Sequence, residues 1–303
     1  MNIESIIKSS IKANMGLSAL ELSKLGNGSV GSVYKVLCDT APETIAVKVS
    51  SHPAVMKQEY RMLSFLREKT ESKIPRVYYF EERKDCGIIA MEYINGVSGE
   101  SDAVKNLPDK VKLANSIVDN LITLQKVKGD KFGPYDAPTF NSWREFYKGF
   151  ADEILEFSKI KHSEGRLDAY VLSAVERSFG YFNEIFGGED FLPTLIHGDY
   201  WMPNFIIDPE KAELLSVVDP FNVMWADPEY ELFALDVGYG IELGLYRLYK
   251  SKVQTTKYCD VKLELYALYS EILWYKKLGS IDHSFLRMRA ERLIGAMDRF
   301  NLI

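Results

Sequence analysis

Cysteine is scarce in this chain of 303 residues: three in all, Cys38, Cys86 and Cys259, odd in number and far apart. That excludes a disulfide framework and a clustered thiolate metal site, and leaves packing as the role expected of each. Histidine is nearly as scarce, with four, of which His52, His162 and His283 stand outside any motif. No apolar run approaches the roughly 18 residues that a membrane span needs. The opening Met1-Asn2-Ile3-Glu4-Ser5-Ile6-Ile7-Lys8 carries an acidic residue and lacks an apolar signal core, so a cytoplasmic location is expected. Internal repeats and low-complexity segments are also missing. What is there is ordinary for a water-soluble chain, 47% hydrophobic and 26% charged residues, with length enough for two substantial cores.

The chemistry concentrates in Ile196-His197-Gly198-Asp199-Tyr200-Trp201-Met202-Pro203-Asn204 and in Asp219, fifteen residues after Asn204. Asp199 and Asn204 are five apart in a segment too tight and too Pro-marked for a helix. Leu214 to Val218 is expected as a buried strand that delivers Asp219 at its end. Asp208-Pro209-Glu210-Lys211 is a turn joining that strand to Phe205-Ile206-Ile207, so the polar residues bracket a two-stranded ribbon. Singly, Asp199 and Asp219 read as turn residues and His197 as a core histidine. Jointly, their spacing points to phosphoryl transfer, in which one aspartate takes the proton of the attacking hydroxyl while an asparagine and a second aspartate hold Mg²⁺. Hard oxygen donors suit that ion.

A nucleotide site is then expected upstream. Gly26, Gly28 and Gly31, in Leu25-Gly26-Asn27-Gly28-Ser29-Val30-Gly31-Ser32-Val33, have the spacing of a phosphate-covering loop, with Val33 two residues beyond the last glycine. Glycine lets backbone approach a polyphosphate without a Cβ in the way. Ser32 to Leu37 continues as a strand instead of opening a helix, which excludes a dinucleotide fold. Lys48, within the β-rich Thr44-Ile45-Ala46-Val47-Lys48-Val49, is the candidate to pair with the α- and β-phosphates. Pro53 opens a helical pattern with Val55, Met62, Leu63 and Leu66 on one face. Glu59 interrupts that stripe, where a charge is costly unless paired. Lys48 is its expected partner, and Glu68, off the stripe, is expected in solvent. Two more strands, Ile74 to Phe80 and Gly87 to Ile94, flank a charged turn at Glu81 to Asp85. The second leads into Asn95-Gly96 as a hinge; a resemblance to the kinase hinge would put Met91 behind an adenine and the Glu92 carbonyl and Ile94 N–H against it.

These pieces together resemble the aminoglycoside phosphotransferase and fructosamine kinase group of small-molecule kinases: the His197-Gly198-Asp199 to Asn204 loop, Asp219, the Ala46-Val47-Lys48 strand and the Glu92-Tyr93-Ile94-Asn95-Gly96 hinge. The resemblance spans about Gly26 to Asp236. It implies an α+β, protein-kinase-like two-lobe fold, with a small antiparallel-sheet N-lobe at 1–95 and a mainly helical C-lobe at 96–303. It also implies ATP and Mg²⁺ as cofactors and a small-molecule acceptor, with no nucleic-acid or membrane partner. Gly198 where protein kinases have arginine, Asp219-Pro220-Phe221 in place of Asp-Phe-Gly, and no Ala-Pro-Glu or long activation segment separate the chain from protein kinases. Trp201 resembles the tryptophan of fructosamine kinases, as do Phe132-Gly133 and Asn141-Ser142-Trp143. Tyr200 and Trp201 are the candidates for acceptor contact. Tyr200, Met202 and Pro203 depart from the fructosamine kinase loop.

Catalysis is therefore expected from Asp199, with Asn204 and Asp219 on the metal. The expected acceptor is a polyhydroxylated amine, either aminoglycoside-like or a ketosamine. A protein kinase and a nucleotide-binding module without turnover are the alternatives. Charge leans the same way, with a net +2 up to Asn95 and −8 beyond it, a balance that favours a cationic acceptor and equally aids solubility. In the large lobe, Pro108 is expected to begin a helix with Val111, Leu113, Ala114, Ile117, Val118, Leu121 and Leu124 on one side. Gly129 to Pro138 is a break, and Phe140 to Phe157 and Asp168 to Phe186 are amphipathic. Asp227-Pro228-Glu229 is expected to cap a helix containing Glu231 and Asp236, which resemble the family's structural acidic pair. Three more helical blocks finish near Asn301.

Overall fold

The computed structural model describes residues 3–28, 30–187 and 191–302. Its first elements are α1 (Ile3–Met15), β1 (Ala19–Asn27), β2 (Ser32–Cys38), β3 (Thr44–Ser50), α2 (Pro53–Lys69), β4 (Val77–Glu82), β5 (Gly87–Glu92) and β6 (Val97–Ser98). Next come α3 (Asp102–Lys105), α4 (Lys110–Gln125), β7 (Gly133–Pro134), α5 (Trp143–Ser163), α6 (Ala169–Gly180), α7 (Phe182–Ile185) and β8 (Thr194–Ile196). The chain continues through β9 (Phe205–Asp208), β10 (Glu213–Val217), β11 (Met224–Ala226), α8 (Leu232–Leu235), α9 (Tyr239–Leu243), α10 (Leu245–Lys252), α11 (Cys259–Leu278) and α12 (His283–Arg299).

The chain divides into two compact units, Met1–Leu124 with Asp199–Asn222, and Gln125–Gly198 with Val223–Ile303. A boundary at residue 95 falls inside the first of these. That unit holds an antiparallel sheet in the order β1-β2-β3-β5-β4. Side chains alternate across a strand, and β3 uses both of its faces. Ile45, Val47 and Val49 pack with Ile88, Ala90 and the α1 residues Ile6, Ile7 and Ile11. On the other face Ala46 joins Met56 of α2, Ile89 and Met91. Lys48, two residues from Ala46, is therefore turned to the α2 side.

The buried face of α2 is Met56, Glu59, Met62, Leu63 and Leu66. Val55, expected on that face, is 45% exposed. Met56 takes its place in the first turn because Gly87 leaves room for it: a Cβ on Gly87 would lie 2.9 Å from the Met56 Cβ. The same correction applies to α4, which starts at Lys110, with Asp109 Oδ1 accepting the Lys112 N–H at 2.9 Å. Val111 is 73% exposed there, since burial begins only with Leu113 and Ala114. The β9–β10 ribbon forms as expected, pairing Glu213 with Asp208 and Val217 with Phe205, and β6 extends it.

The second unit packs α5, α6, α11 and α12 around one core that includes Trp143, Tyr147, Val171, Tyr266, Tyr269, Leu286 and Leu293. A small sheet, β7-β11-β8, lies within the same unit. After Asp227 the helix is shorter than expected. Pro228–Glu231 is a 3-10 turn and α8 adds one further turn. Asp236 thus follows the helix instead of lying within it, and its carboxylate accepts from Arg292. Gly238, at φ +52°, turns the chain away at this point.

Candidate active site

Strand register puts Gly26 opposite Val33, Val33 opposite Lys48, and Lys48 opposite Ile89, a single rung across four strands. From it the Lys48 side chain, with the residue 5% exposed, reaches Glu59, 6% exposed, bonding its two carboxylate oxygens at 2.9 and 2.8 Å. The ammonium also donates to Asp219 Oδ1 at 2.7 Å. Burial works to lower the Lys48 pKa, but Glu59 and Asp219 more than reverse this, so the ammonium stays charged above its ordinary range. Burial pushes Glu59 up, against the pull of Lys48.

Asp199 follows Gly198, whose φ of +80° favours a residue without Cβ. Asn204 closes a short 3-10 turn, Met202–Asn204. Its Nδ2 donates to the Asp199 carboxylate at 2.7 Å and to the Asp199 carbonyl at 2.9 Å. At 3.5 Å it also meets the Asp219 carbonyl. Five residues are thus gathered: Lys48, Glu59, Asp199, Asn204 and Asp219. Asp219 itself sits at φ +54°, a strained conformation for a residue with Cβ and one that clusters at functional sites. Burial raises the Asp199 carboxyl to about 6, with hydrogen bonds from Asn204 and Trp201 opposing and Asp219 adding to the rise. No group of three or more His, Cys, Asp or Glu side chains suited to a metal occurs among the described residues. An amide oxygen and a carboxylate, from Asn204 and a 45% exposed Asp219 side chain, remain as hard donors able to share a cation with phosphate oxygens.

The three loop glycines differ in what they permit. A Cβ on Gly31 would come within 2.5 Å of the Val49 carbonyl oxygen, whereas Gly26 meets nothing within 4 Å and Gly28 only the Gly31 oxygen at 3.6 Å. Gly28 N–H donates to that same oxygen at 2.8 Å, closing the turn. Ser29 lies outside the described residues. At the end of β5, Met91 is buried against Ala46 and Met56. Glu92 is tied to Arg76 by its own N–H at 2.8 Å and by its carboxylate at 3.0 Å. Ile94 follows, and its carbonyl accepts from Gly96 at 3.0 Å.

Tyr200 is not placed to meet an acceptor. It is fully buried, donating its hydroxyl to the Ile117 carbonyl at 2.9 Å and accepting from Asn120 at 3.0 Å. It packs on Phe205 at 4.8 Å. Side chains that follow one another in this loop point opposite ways, and Trp201 is 38% exposed. Sequence reasoning set Glu231 aside as a structural acid without finding its partner. Its carboxylate accepts the N–H of His197 at 3.1 Å and of Gly198 at 2.6 Å, the two peptides before Asp199. The Asp-Pro-Glu signal announced a cap, and 34 residues of separation hid the contact.

The family model for fructosamine kinase matches residues 3–286. The Escherichia coli K12 protein YcbJ, uncharacterized by name, is 24% identical over 199 residues, taking in 64% of this chain and 66% of YcbJ, just under two thirds of its length. A Staphylococcus aureus protein named as a probable ketoamine kinase is 24% identical over 277 residues, 87% of this chain and 91% of its own. Among solved structures, a thermostable mutant of the aminoglycoside phosphotransferase APH(4)-Ia, in ternary complex with AMP-PNP and hygromycin B, superposes with a TM-score of 0.69 at 16% identity. That superposition covers 96% of this chain and 98% of the other. Matched over nearly all its length and built on a protein-kinase-like fold, the chain belongs to the fructosamine kinase family.

Proposed function

We propose that the protein transfers the γ-phosphoryl group of ATP to a hydroxyl of a small sugar-amine, a ketosamine formed from a sugar and a primary amine. The observation that carries this reading is the convergence of the Lys48–Glu59–Asp219 ion pairs with the Asp199–Asn204 hydrogen bond in one unit of the chain. Asp199 orients the acceptor hydroxyl and takes its proton, and a carboxyl raised to about 6 is a stronger base than an ordinary aspartate while still ionised at neutral pH. Lys48, steadied by Glu59, draws the α- and β-phosphates into line, and the backbone at Gly26, Gly28 and Gly31 covers them. Met91, Glu92 and Ile94 receive the adenine. Asn204 and Asp219 would hold Mg²⁺, which neutralises charge between the β- and γ-phosphates when bound. Positioning and charge neutralisation supply most of the acceleration, because a loose transition state asks little of the base.

The ketosamine choice rests on the fructosamine kinase match and on the ketoamine kinase relative. The aminoglycoside likeness supports the wider class of polyhydroxylated amines. Incubation of purified protein with Mg-ATP and fructosyl-lysine, an aminoglycoside or a protein panel, read by mass of the phosphorylated product, tests both. Phosphorylated fructosyl-lysine is the expected product. Transfer to the protein panel alone would mean a protein kinase, and ATP binding with no transfer a module without turnover.

A further inference from the structure

Within the second unit a charged cluster lies in the core, made of none of the five residues assigned to phosphoryl transfer. Lys262 of α11 is completely buried, and its ammonium donates to Asp227 Oδ2 at 2.9 Å and lies 2.8 Å from Glu229 Oε2. Both carboxylates are further satisfied. Asp227 accepts from the Tyr266 hydroxyl at 2.8 Å and from the Glu229 N–H at 2.9 Å. Glu229 accepts the N–H and the hydroxyl of Thr256, each at 2.6 Å. Tyr266 in turn accepts from the Trp143 indole at 2.8 Å, bringing in the start of α5.

Stability alone does not account for such an arrangement. Removing three charges from water costs much of what their attraction returns, and well-packed apolar residues often serve a core as well or better. A fully bonded buried network does fix geometry. What this one fixes is the 3-10 turn Pro228–Glu231, held at its cap by Asp227 and in its first turn by Glu229. Two residues beyond Glu229, the same turn presents Glu231 to the peptide N–H groups of His197 and Gly198. The next residue is Asp199.

We propose that the buried Lys262–Asp227–Glu229 triad is a positioning device for the catalytic loop, with Lys262 clamping the turn that carries Glu231 and thereby setting the backbone from which Asp199 projects. The proposal rests on the reading of Asp199 as the base. It gives a role to Trp143, whose indole holds the tyrosine that holds Asp227.

Glu229→Gln tests it without leaving Lys262 unpaired, since Asp227 remains opposite the ammonium. In Mg-ATP-dependent phosphorylation of fructosyl-lysine, kcat should fall about tenfold, a fraction of the loss of a base itself, while the KM for ATP stays within about twofold. Hydrogen exchange of the His197 and Gly198 amides should accelerate in the folded variant. Lys262→Arg, which keeps the charge in a different shape, should fall between wild type and Glu229→Gln in both readouts. Normal kcat and unchanged exchange in a folded but less heat-stable Glu229→Gln would reduce the triad to a stability element and overturn the proposal. Failure of the underlying reading looks different: Asp199→Asn would then keep its turnover, whatever Glu229→Gln does. If fructosyl-lysine proves not to be an acceptor, the amide exchange still decides whether the triad holds the loop.

Discussion

A carboxyl lifted to about 6 by burial sets two opposite pH dependences at one residue. The base proposed at Asp199 would work ionised, so kcat/KM should be level above about pH 7 and fall about tenfold per unit below 6. As a buried group it is most stabilising when protonated. Its folded pKa exceeds the unfolded value near 3.9, so its contribution to stability is present below that value and lost as pH rises through about 6. Asp199→Asn should therefore melt higher than wild type at pH 7 and level with it near pH 4, while losing roughly 10²-fold or more of kcat and keeping Mg-ATP affinity. A melting difference independent of pH would refute the burial argument, and near-normal kcat would remove Asp199 from the chemistry. Lys48 and Glu59 are ion-paired at 2.8 Å. Lys48→Met and Glu59→Gln should each depress kcat/KM, with the double variant far less damaged than the product of the two losses. Tyr200 and Trp201 differ in kind. Tyr200→Phe should cost about 1–3 kcal/mol of stability, since it strips buried partners of a hydrogen bond, with acceptor KM unaltered. Trp201→Ala should raise acceptor KM more than it lowers kcat, and the reverse pattern in the pair would invert the assignment.

At the scale of elements, what was legible in the sequence depended on how far each residue had to look for its partner. Lys48 is legible as a lone charge within a β-rich run, and Glu59 as a charge in an apolar helical stripe; both are local patterns. The ribbon from Phe205 to Val217 was equally legible from its turn chemistry. The burial of Tyr200 is not legible because its partners, Asn120 and Ile117, lie 80 and 83 residues back in the chain on α4. Val55 and Val111 were misplaced because periodicity gives a residue's heading around a helix, not whether a neighbour reaches that far along it. The glycine loop shows the same limit, for its spacing treats three glycines alike while the sheet constrains one. Gly31→Ala should drive the new Cβ into the β3 carbonyl of Val49 and cost about 1–3 kcal/mol of stability. Gly26→Ala should be tolerated in the melting curve and be felt, if at all, in ATP affinity. Equal destabilisation by the two would mean that the Val49 contact is relieved by a shift of the strand.

For the whole chain, the opposite charge leanings on either side of Asn95, +2 and −8, bear on how a cationic acceptor arrives. Raising ionic strength from about 0.01 to 0.15 M shrinks the screening length from roughly 30 to 8 Å. The KM of an amine-bearing acceptor should climb across that range while that of a neutral polyol stays flat; two flat lines would leave the acidic balance to solubility alone. Chain order matters in a further way. The first compact unit is made of two stretches, with residues 125–198 spelled out between them. Lys48 and Glu59 belong to the earlier stretch, and Asp199, Asn204 and Asp219 to the later. A chain emerging from the ribosome at about 5–20 residues per second thus carries Lys48 and Glu59 for several seconds before the proposed base and metal ligands have been made. A fragment ending before Asp199 would hold Lys48 and Glu59 but lack the proposed base, both proposed metal ligands and the second carboxylate that Lys48 meets in the full chain.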